Sequence, residues 1–402
     1  MQAVSRCSAP RVAFVTGGLK LGGTSTFLCN LAGELIRRGL VAEVFSFENE
    51  NPLADDFQKL NIPVHAQDAR RSIFEDRMLG ILQRLAAFQP TAVVANLGPA
   101  SFEALRYVPA GVLRIGTGQS DDGIVYDTLQ RYAPFQDVVA VVSRAMQTKA
   151  KARPELSPLP VECLPYGVPM PAMDATFRPA GAALKILYLG RLDRVQKRVH
   201  LFPEILESLK ASGIPFHWTI AGEGPDRAML ENSLRSQPPQ QTVSFTGKIS
   251  YQAVPEILAA HDVFLLASDY EGLPLSLLEA MGRGLVPVVS DLPSGIRDLV
   301  DATNGILVPV NATGAYAEAI VHLHHHRAEL AAKAMAARVR VRQEFSIAAM
   351  TDRWLKIFSA GEKEIAPWPK RWRIQAPLAV SNPLFYSPPA RVLRRIAVRF
   401  RK

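Results

Sequence analysis

Short runs of β-branched and apolar residues, each followed by a stretch of helical periodicity, recur along this chain in two series. In the first, residues 11–17 form an apolar run that stops at glycines, and residues 24–38 place Phe27, Leu28, Leu31, Leu35 and Ile36 at helical spacing. Strand patterns return at 41–47, 92–96, 112–117 and 138–142. The second series starts at 184–190 and continues at 216–222, 243–247, 263–267, 286–290 and 305–308, with amphipathic helices between. Strands alternating with helices predict parallel sheets covered on both faces, so each series reads as a doubly wound α/β domain. At 402 residues the chain also exceeds the roughly 250–300 at which one core usually stops growing.

Between the series, Pro171, Pro179 and Gly181 occur with little periodicity, which reads as an interdomain linker. The predicted organisation is a domain at 1–170, a linker at 171–183, a second domain at 184–345, a helix at 346–362 and a basic tail at 363–402. Met350, Trp354, Ile357 and Phe358 form the apolar face of that helix.

Charge narrows the range of partners. The net charge is +9, and the ten Lys and Arg against one Glu from Lys363 onward account for all of it. A duplex-binding protein carries its cations on the folded domain that meets the phosphates, so nucleic acid is not the expected partner. No apolar stretch approaches the ~18 residues of a membrane span, and the run at 12–15 is too short for a signal peptide, so a cytoplasmic location is expected. Cys7, Cys29 and Cys163 lack disulfide or zinc spacing.

The most informative segment is DYEGLPLSLLEAMGRGLVP at 269–287. A loop carrying Glu271 and Gly272 leads into a helix started near Pro274, a residue favoured at the first helical position. Such a start offers backbone N–H groups and the positive end of a helix dipole to a phosphate. Glu279, five residues past Pro274, lies about 7–8 Å further along, roughly the distance from a diphosphate to a ribose. Solvated surface is the commoner account of an arbitrary pair of glutamates. The second piece of context is Arg191 and Lys197, which follow a strand ending at Gly190, where open α/β sheets bind ligands. An arginine can grip phosphate bidentately, and a lysine adds a point charge.

Taken together, GRLDRVQK at 190–197, AGEGPDR at 221–227, SFTGKI at 244–249, the Glu-x7-Glu segment, NGILV at 304–308 and GGTSTFLCNLAGEL near the start resemble the group 1, or GT4-like, retaining glycosyltransferases. The resemblance spans about residues 11–360. It implies the GT-B fold: two Rossmann-like doubly wound domains facing a central cleft, with the acceptor on the first and a nucleotide-diphosphate sugar of UDP or GDP type on the second. By the same resemblance Arg191 and Lys197 hold the donor diphosphate, Glu271 contacts the donor sugar and Glu279 binds the ribose. The backbone at Gly272, Leu273, Pro274 and Leu275 and at Gly22 and Gly23 completes the phosphate cradle, with Gly190 and Lys248 on the donor side. It also implies a same-face reaction in which the leaving phosphate takes the acceptor's proton, with no cofactor beyond the donor. No Asp-x-Asp motif is present, so no bound metal is expected.

Two positions depart from the family pattern. Gln119, in GQSDD, stands where an imidazole is common after the fourth strand, and an amide cannot titrate near pH 7. Arg198 stands where a glycine commonly follows the lysine, and is read as a further cation near the phosphates. Acceptor specificity is assigned to loops at 98–105 and 120–132.

The resemblance implies transfer to a saccharide or lipid-linked acceptor in cell-surface polysaccharide or glycolipid assembly. Gln119 keeps open a non-catalytic sugar-nucleotide-binding subunit, and the fold keeps open a non-hydrolysing sugar-nucleotide epimerase. His322, His324, His325 and His326 read as a solvated helix end. In the tail, Val392, Leu393, Ile396 and Phe400 share one helical face, and Arg391, Arg394, Arg395 and Arg399 lie largely on the other. That pattern, with Trp368 and Trp372 among cations, fits peripheral attachment to an anionic membrane at its inner face. A tail packed on the first domain and a disordered basic arm stay open beside it.

Overall fold

The computed structural model describes residues 9–20, 22–68, 70, 72–171, 183–235, 242–359, 364–379 and 386–399. Residues 172–182 of the expected linker at 171–183, and Lys363, Phe400, Arg401 and Lys402 of the tail, lie outside the described residues. The chain divides into two compact units, one of residues 1–142, 146–164 and 350–402 and one of 143–145 and 165–349.

In the first unit the order is β1 (Arg11–Thr16), α1 (Gly23–Arg37), β2 (Val41–Ser46), α2 (Ala54–Lys59), β3 (Val64–Ala66), α3 (Phe74–Phe88), β4 (Ala92–Ala95), α4 (Pro99–Leu105), β5 (Leu113–Gly118), α5 (Gly123–Arg131), β6 (Val138–Val141), α6 (Arg144–Lys151) and β7 (Val161–Cys163). Its seven strands are all parallel, in the order β3-β2-β1-β4-β5-β6-β7. Val12, Ala13, Phe14 and Val15 of β1 are fully buried, as a central strand covered by helices on both faces requires. The sequence reading missed β3 and β7. Both are three-residue edge strands with half-buried positions, too short to form an apolar run.

The second unit runs β8 (Leu184–Leu189), α7 (Phe202–Ala211), β9 (Phe216–Ala221), α8 (Arg227–Arg235), β10 (Val243–Gly247), α9 (Val254–Ala259), β11 (Val263–Leu266), α10 (Leu275–Gly282), β12 (Val286–Ser290), α11 (Gly295–Leu299), β13 (Ile306–Val308), α12 (Thr313–His325) and α13 (Arg327–Glu344). Its six strands are parallel, in the order β10-β9-β8-β11-β12-β13. Pro287 sits inside β12, which is unusual for an interior strand. Val286 N donates to Asp262 O at 2.9 Å on the β11 side, so residue 287 faces β13, where pairing begins only at Val288. The missing N–H therefore removes no ladder bond.

The divide falls after residue 164 rather than at 170, because Val168 N donates to Phe345 O at 2.9 Å and Val168 bridges Ser346, tying that stretch to the second unit. From Met350 onward the chain belongs to the first unit. Helix α14 (Ile347–Ser359) buries Met350, Trp354 and Phe358, and Trp354 packs 6.0 Å from Phe27. The tail, read from sequence as a separate object, is also part of this unit. Ala366 N donates to Ala110 O at 2.9 Å, and Leu378 N to the buried Glu103 at 3.1 Å. Its last described element is α15 (Pro388–Arg399).

Candidate active site

In the second unit, the crossovers after β8 and β11 leave in opposite directions along the sheet, so the carboxyl ends of these two adjacent strands form the topological switch point where such sheets bind ligands. The loop at 190–198 leaves β8, and the loop at 267–274 leaves β11.

Asp193 organises the first loop. It is 4% exposed, and its Oδ1 accepts from Gln196 N at 2.7 Å, which folds the chain back on itself. Gln196 then ties the two loops together: its backbone O accepts from Asp269 N at 2.8 Å and its Nε2 donates to Tyr270 O at 3.3 Å. Across this junction Lys197 Nζ pairs with Glu271 Oε1, the lysine side chain 14% and the glutamate 6% exposed. Ser268 Oγ donates to the same Oε1 at 2.6 Å. The other oxygen of Glu271, Oε2, accepts no hydrogen bond from a described residue and can take a ligand hydroxyl.

Arg191 is more exposed, at 59% of its side chain, and is pre-oriented by Gln196 Oε1 at 3.0 Å and Asp193 at 3.1 Å. Arg198 adopts the left-handed conformation at φ 50°, which explains why glycine suits this position. Its guanidinium is held by Asn311 and by Asp269, the latter at 2.5 Å.

Glycines allow these loops to approach. A Cβ on Gly222, whose φ is +143°, would lie 1.9 Å from Gly190 O, and one on Gly295 would lie 2.1 Å from Gly272 O. Gly295 N donates to that oxygen at 3.0 Å, which supports the start of α10 from behind. Gly295→Ala should therefore displace the loop holding Glu271, lower stability by ~1–3 kcal/mol and raise the donor Michaelis constant. Urea unfolding and donor titration check both effects, and wild-type values in both would contradict the role of this contact.

Helix α10 begins at Leu275, with Pro274 as its cap in extended conformation (φ −71°, ψ 111°) rather than as its first helical residue. Glu279 lies in this helix, half-buried, and burial pushes its carboxyl up to about 7 while Arg283 opposes the shift. Arg191, Lys197, Glu271, Gly190 and the 272–275 backbone thus converge at one switch point, with Glu279 further along α10. Lys248 is placed elsewhere. It follows β10, two strands from β8, and lines a depression of about 460 Å³ with Ile249, Ser250 and Glu256.

The first unit holds the remaining candidates at its own switch point, between β1 and β4. Gly22 caps α1, its carbonyl accepting from Ser25 N at 3.2 Å and Thr26 N at 3.1 Å, and Gly23 opens the helix. Gln119 follows β5, and its Nε2 donates to Oδ1 of Asn96, a residue 2% exposed. Residues 98–105 and 120–132, expected as loops, fold largely into α4 and α5, with Asp122 capping α5 by accepting from Val125 N at 3.0 Å. Among the described residues no group of three or more His, Cys, Asp or Glu is placed to hold a metal ion. His322 pairs with Glu329 at 2.7 Å and stacks on His326.

Sequence reasoning missed Ser268, Gln196 and Asn96. Nothing in their immediate sequence marks a polar residue whose partner is brought in by another loop.

Residues 183–326 match the family described as glycosyl transferases group 1. WcaL of Escherichia coli K12, whose name places it in colanic acid biosynthesis as a glycosyltransferase, is 29% identical over 309 residues, covering 72% of this chain and 75% of that protein. The second unit of this chain carries a group 1 glycosyltransferase domain. The amylovoran biosynthesis glycosyltransferase AmsK of Erwinia amylovora is 33% identical over 180 residues, 43% of each chain. Solved structures agree on the GT-B fold of this glycosyltransferase. HepE from Anabaena, in complex with UDP and glucose, superposes with a TM-score of 0.71 at 17% identity over 87% of this chain and all of that one. TarM from S. aureus gives 0.71 at 13% identity over 87% of this chain and 99% of that one.

Proposed function

We propose that this glycosyltransferase moves a sugar, with retention, from a nucleotide-diphosphate donor of UDP or GDP type to a saccharide or lipid-linked acceptor in cell-surface polysaccharide or glycolipid assembly. The observation that carries the reading is the Lys197–Glu271 pair beside Arg191 and the start of α10. Arg191 and Lys197 offer two cations to a diphosphate, and the backbone at 272–275 adds helix-start N–H groups. Charge building on the leaving phosphate meets fixed donors, the largest usual contribution to such a barrier. Glu271 Oε2 accepts from a donor-sugar hydroxyl while Oε1 keeps Lys197 in place. Glu279 takes the ribose and Gly190 borders the donor, whereas Lys248, two strands away, is given no part in donor binding. No metal or organic cofactor is assigned.

The relatives named as glycosyltransferases, and the solved structures holding UDP or UDP-glucose, favour transfer over the epimerase and partner-subunit readings. Release of nucleoside diphosphate is expected only when an acceptor is present. Interconversion of the donor without acceptor would support the epimerase, and donor-induced thermal stabilisation without turnover would support the subunit. We also place the enzyme at the cytoplasmic face of a membrane as a peripheral protein. No described helix is long and apolar enough to cross a membrane, and amphipathic α15 supports attachment.

A further inference from the structure

Helix α15 is held to the first unit through its basic face. Arg394 donates to both oxygens of Glu75, from Nη1 at 2.9 Å and from Nη2 at 2.5 Å. Arg391 reaches the same carboxylate at 3.3 Å and the Ile374 carbonyl at 3.1 Å. Arg395 Nε donates to Asp76 at 3.0 Å. Glu75 is 2% exposed, and the Arg394 guanidinium also lies 4.6 Å from the centre of the Tyr386 ring. Both acids sit in the first turn of α3, where negative charge is favoured in any case. These three arginines, expected from sequence to meet lipid, are engaged inside the unit.

The opposite side of α15 shows Val392, Leu393 and Ile396, exposed by 57%, 68% and 48%. A helix docked on a water-soluble domain normally turns its apolar stripe inward and its cations outward, and here the arrangement is reversed. Beside it runs the segment 364–379, joined to α15 by the Arg391–Ile374 bond, where Lys370, Arg371 and Arg373 are exposed in a stretch containing Trp368 and Trp372. Exposed cations next to an outward apolar stripe complement an anionic bilayer, whose headgroups meet the cations as its acyl region takes the stripe. At 12 residues the helix is ~18 Å long and must lie in the interface rather than cross it.

We propose that Val392, Leu393 and Ile396 form the lipid-entering surface of this enzyme, on a helix whose arginines serve as its anchor to the first unit. This deepens the membrane placement above and rests on it. The test is flotation of the full chain with vesicles of phosphatidylglycerol and phosphatidylethanolamine. Wild type should float and keep floating in high salt, and Leu393→Glu and Ile396→Glu should each lower partition by about tenfold or more, the loss of one buried aliphatic side chain. Transfer to a water-soluble acceptor should stay unchanged in both. If wild type stays with the soluble fraction, the membrane placement itself fails. If it floats and both glutamate variants float equally while the Lys370→Ala/Arg371→Ala/Arg373→Ala variant does not, the placement stands and the apolar surface is overturned. A wild-type dimer that Leu393→Glu converts to monomer in light scattering would also overturn it, since a second copy would then cover the stripe.

Discussion

Replacing Lys197 with Met should slow transfer by about two to three orders of magnitude, the usual cost of removing one fixed donor to developing charge. The change also leaves Glu271, 6% exposed at its side chain, without its cation. Breaking such a pair on one side costs ~3–5 kcal/mol of stability, so a fall in activity alone would not assign the role. The double variant Lys197→Met/Glu271→Gln separates the two effects. Ser268 can still donate to the amide oxygen, and no buried charge is left alone, so the urea midpoint should recover much of its loss while turnover stays low. Recovery of both would make the pair structural. Arg191→Ala should lower turnover with little change in stability, because a cation with 59% of its side chain exposed contributes little to folding.

That contrast between two cations of one motif shows where sequence reading ends. The second unit's strands were legible because parallel strands buried on both faces are written as continuous apolar runs, such as Val263–Leu266. The order of motifs along the chain named the donor-side residues. Neither source shows that Lys197 is enclosed and Arg191 open, since the difference depends on Glu271, 74 residues away. Ser268 and Gln196 were invisible for the same reason. The tail repeats the lesson on a longer scale: amphipathicity predicted its helix, but which face turns inward is decided by Glu75 and Asp76, more than 300 residues earlier. The depression at Lys248 likewise depends on how the start of α9 folds beside the end of β10.

Glu279 carries the second large effect, and it should appear as pH dependence of donor binding. Its carboxyl is pushed from 4.5 up to about 7 by burial, so it is mostly neutral at about pH 6 and mostly ionised at about pH 8. Ribose hydroxyls donate more strongly to a carboxylate than to the neutral acid. The donor Michaelis constant should therefore fall as pH rises through 7 in wild type and stay flat in Glu279→Gln. Glu279→Ala should raise it at about pH 8 with turnover at saturating donor largely kept, because a ribose contact is similar in ground and transition states. Stability without donor should move the opposite way. A folded pKa above the unfolded one means the folded chain holds the extra proton between about 4.5 and 7, so the stabilising contribution is complete below that window and is lost as pH rises through it. Going from about pH 5 to about pH 8, wild type should lose on the order of 1–3 kcal/mol relative to Glu279→Gln, and saturating donor should reduce the difference. A variant that loses turnover at saturating donor with an unchanged Michaelis constant would place Glu279 in the chemical step. Parallel stability profiles for the two proteins would show that its carboxyl is not shifted in the fold.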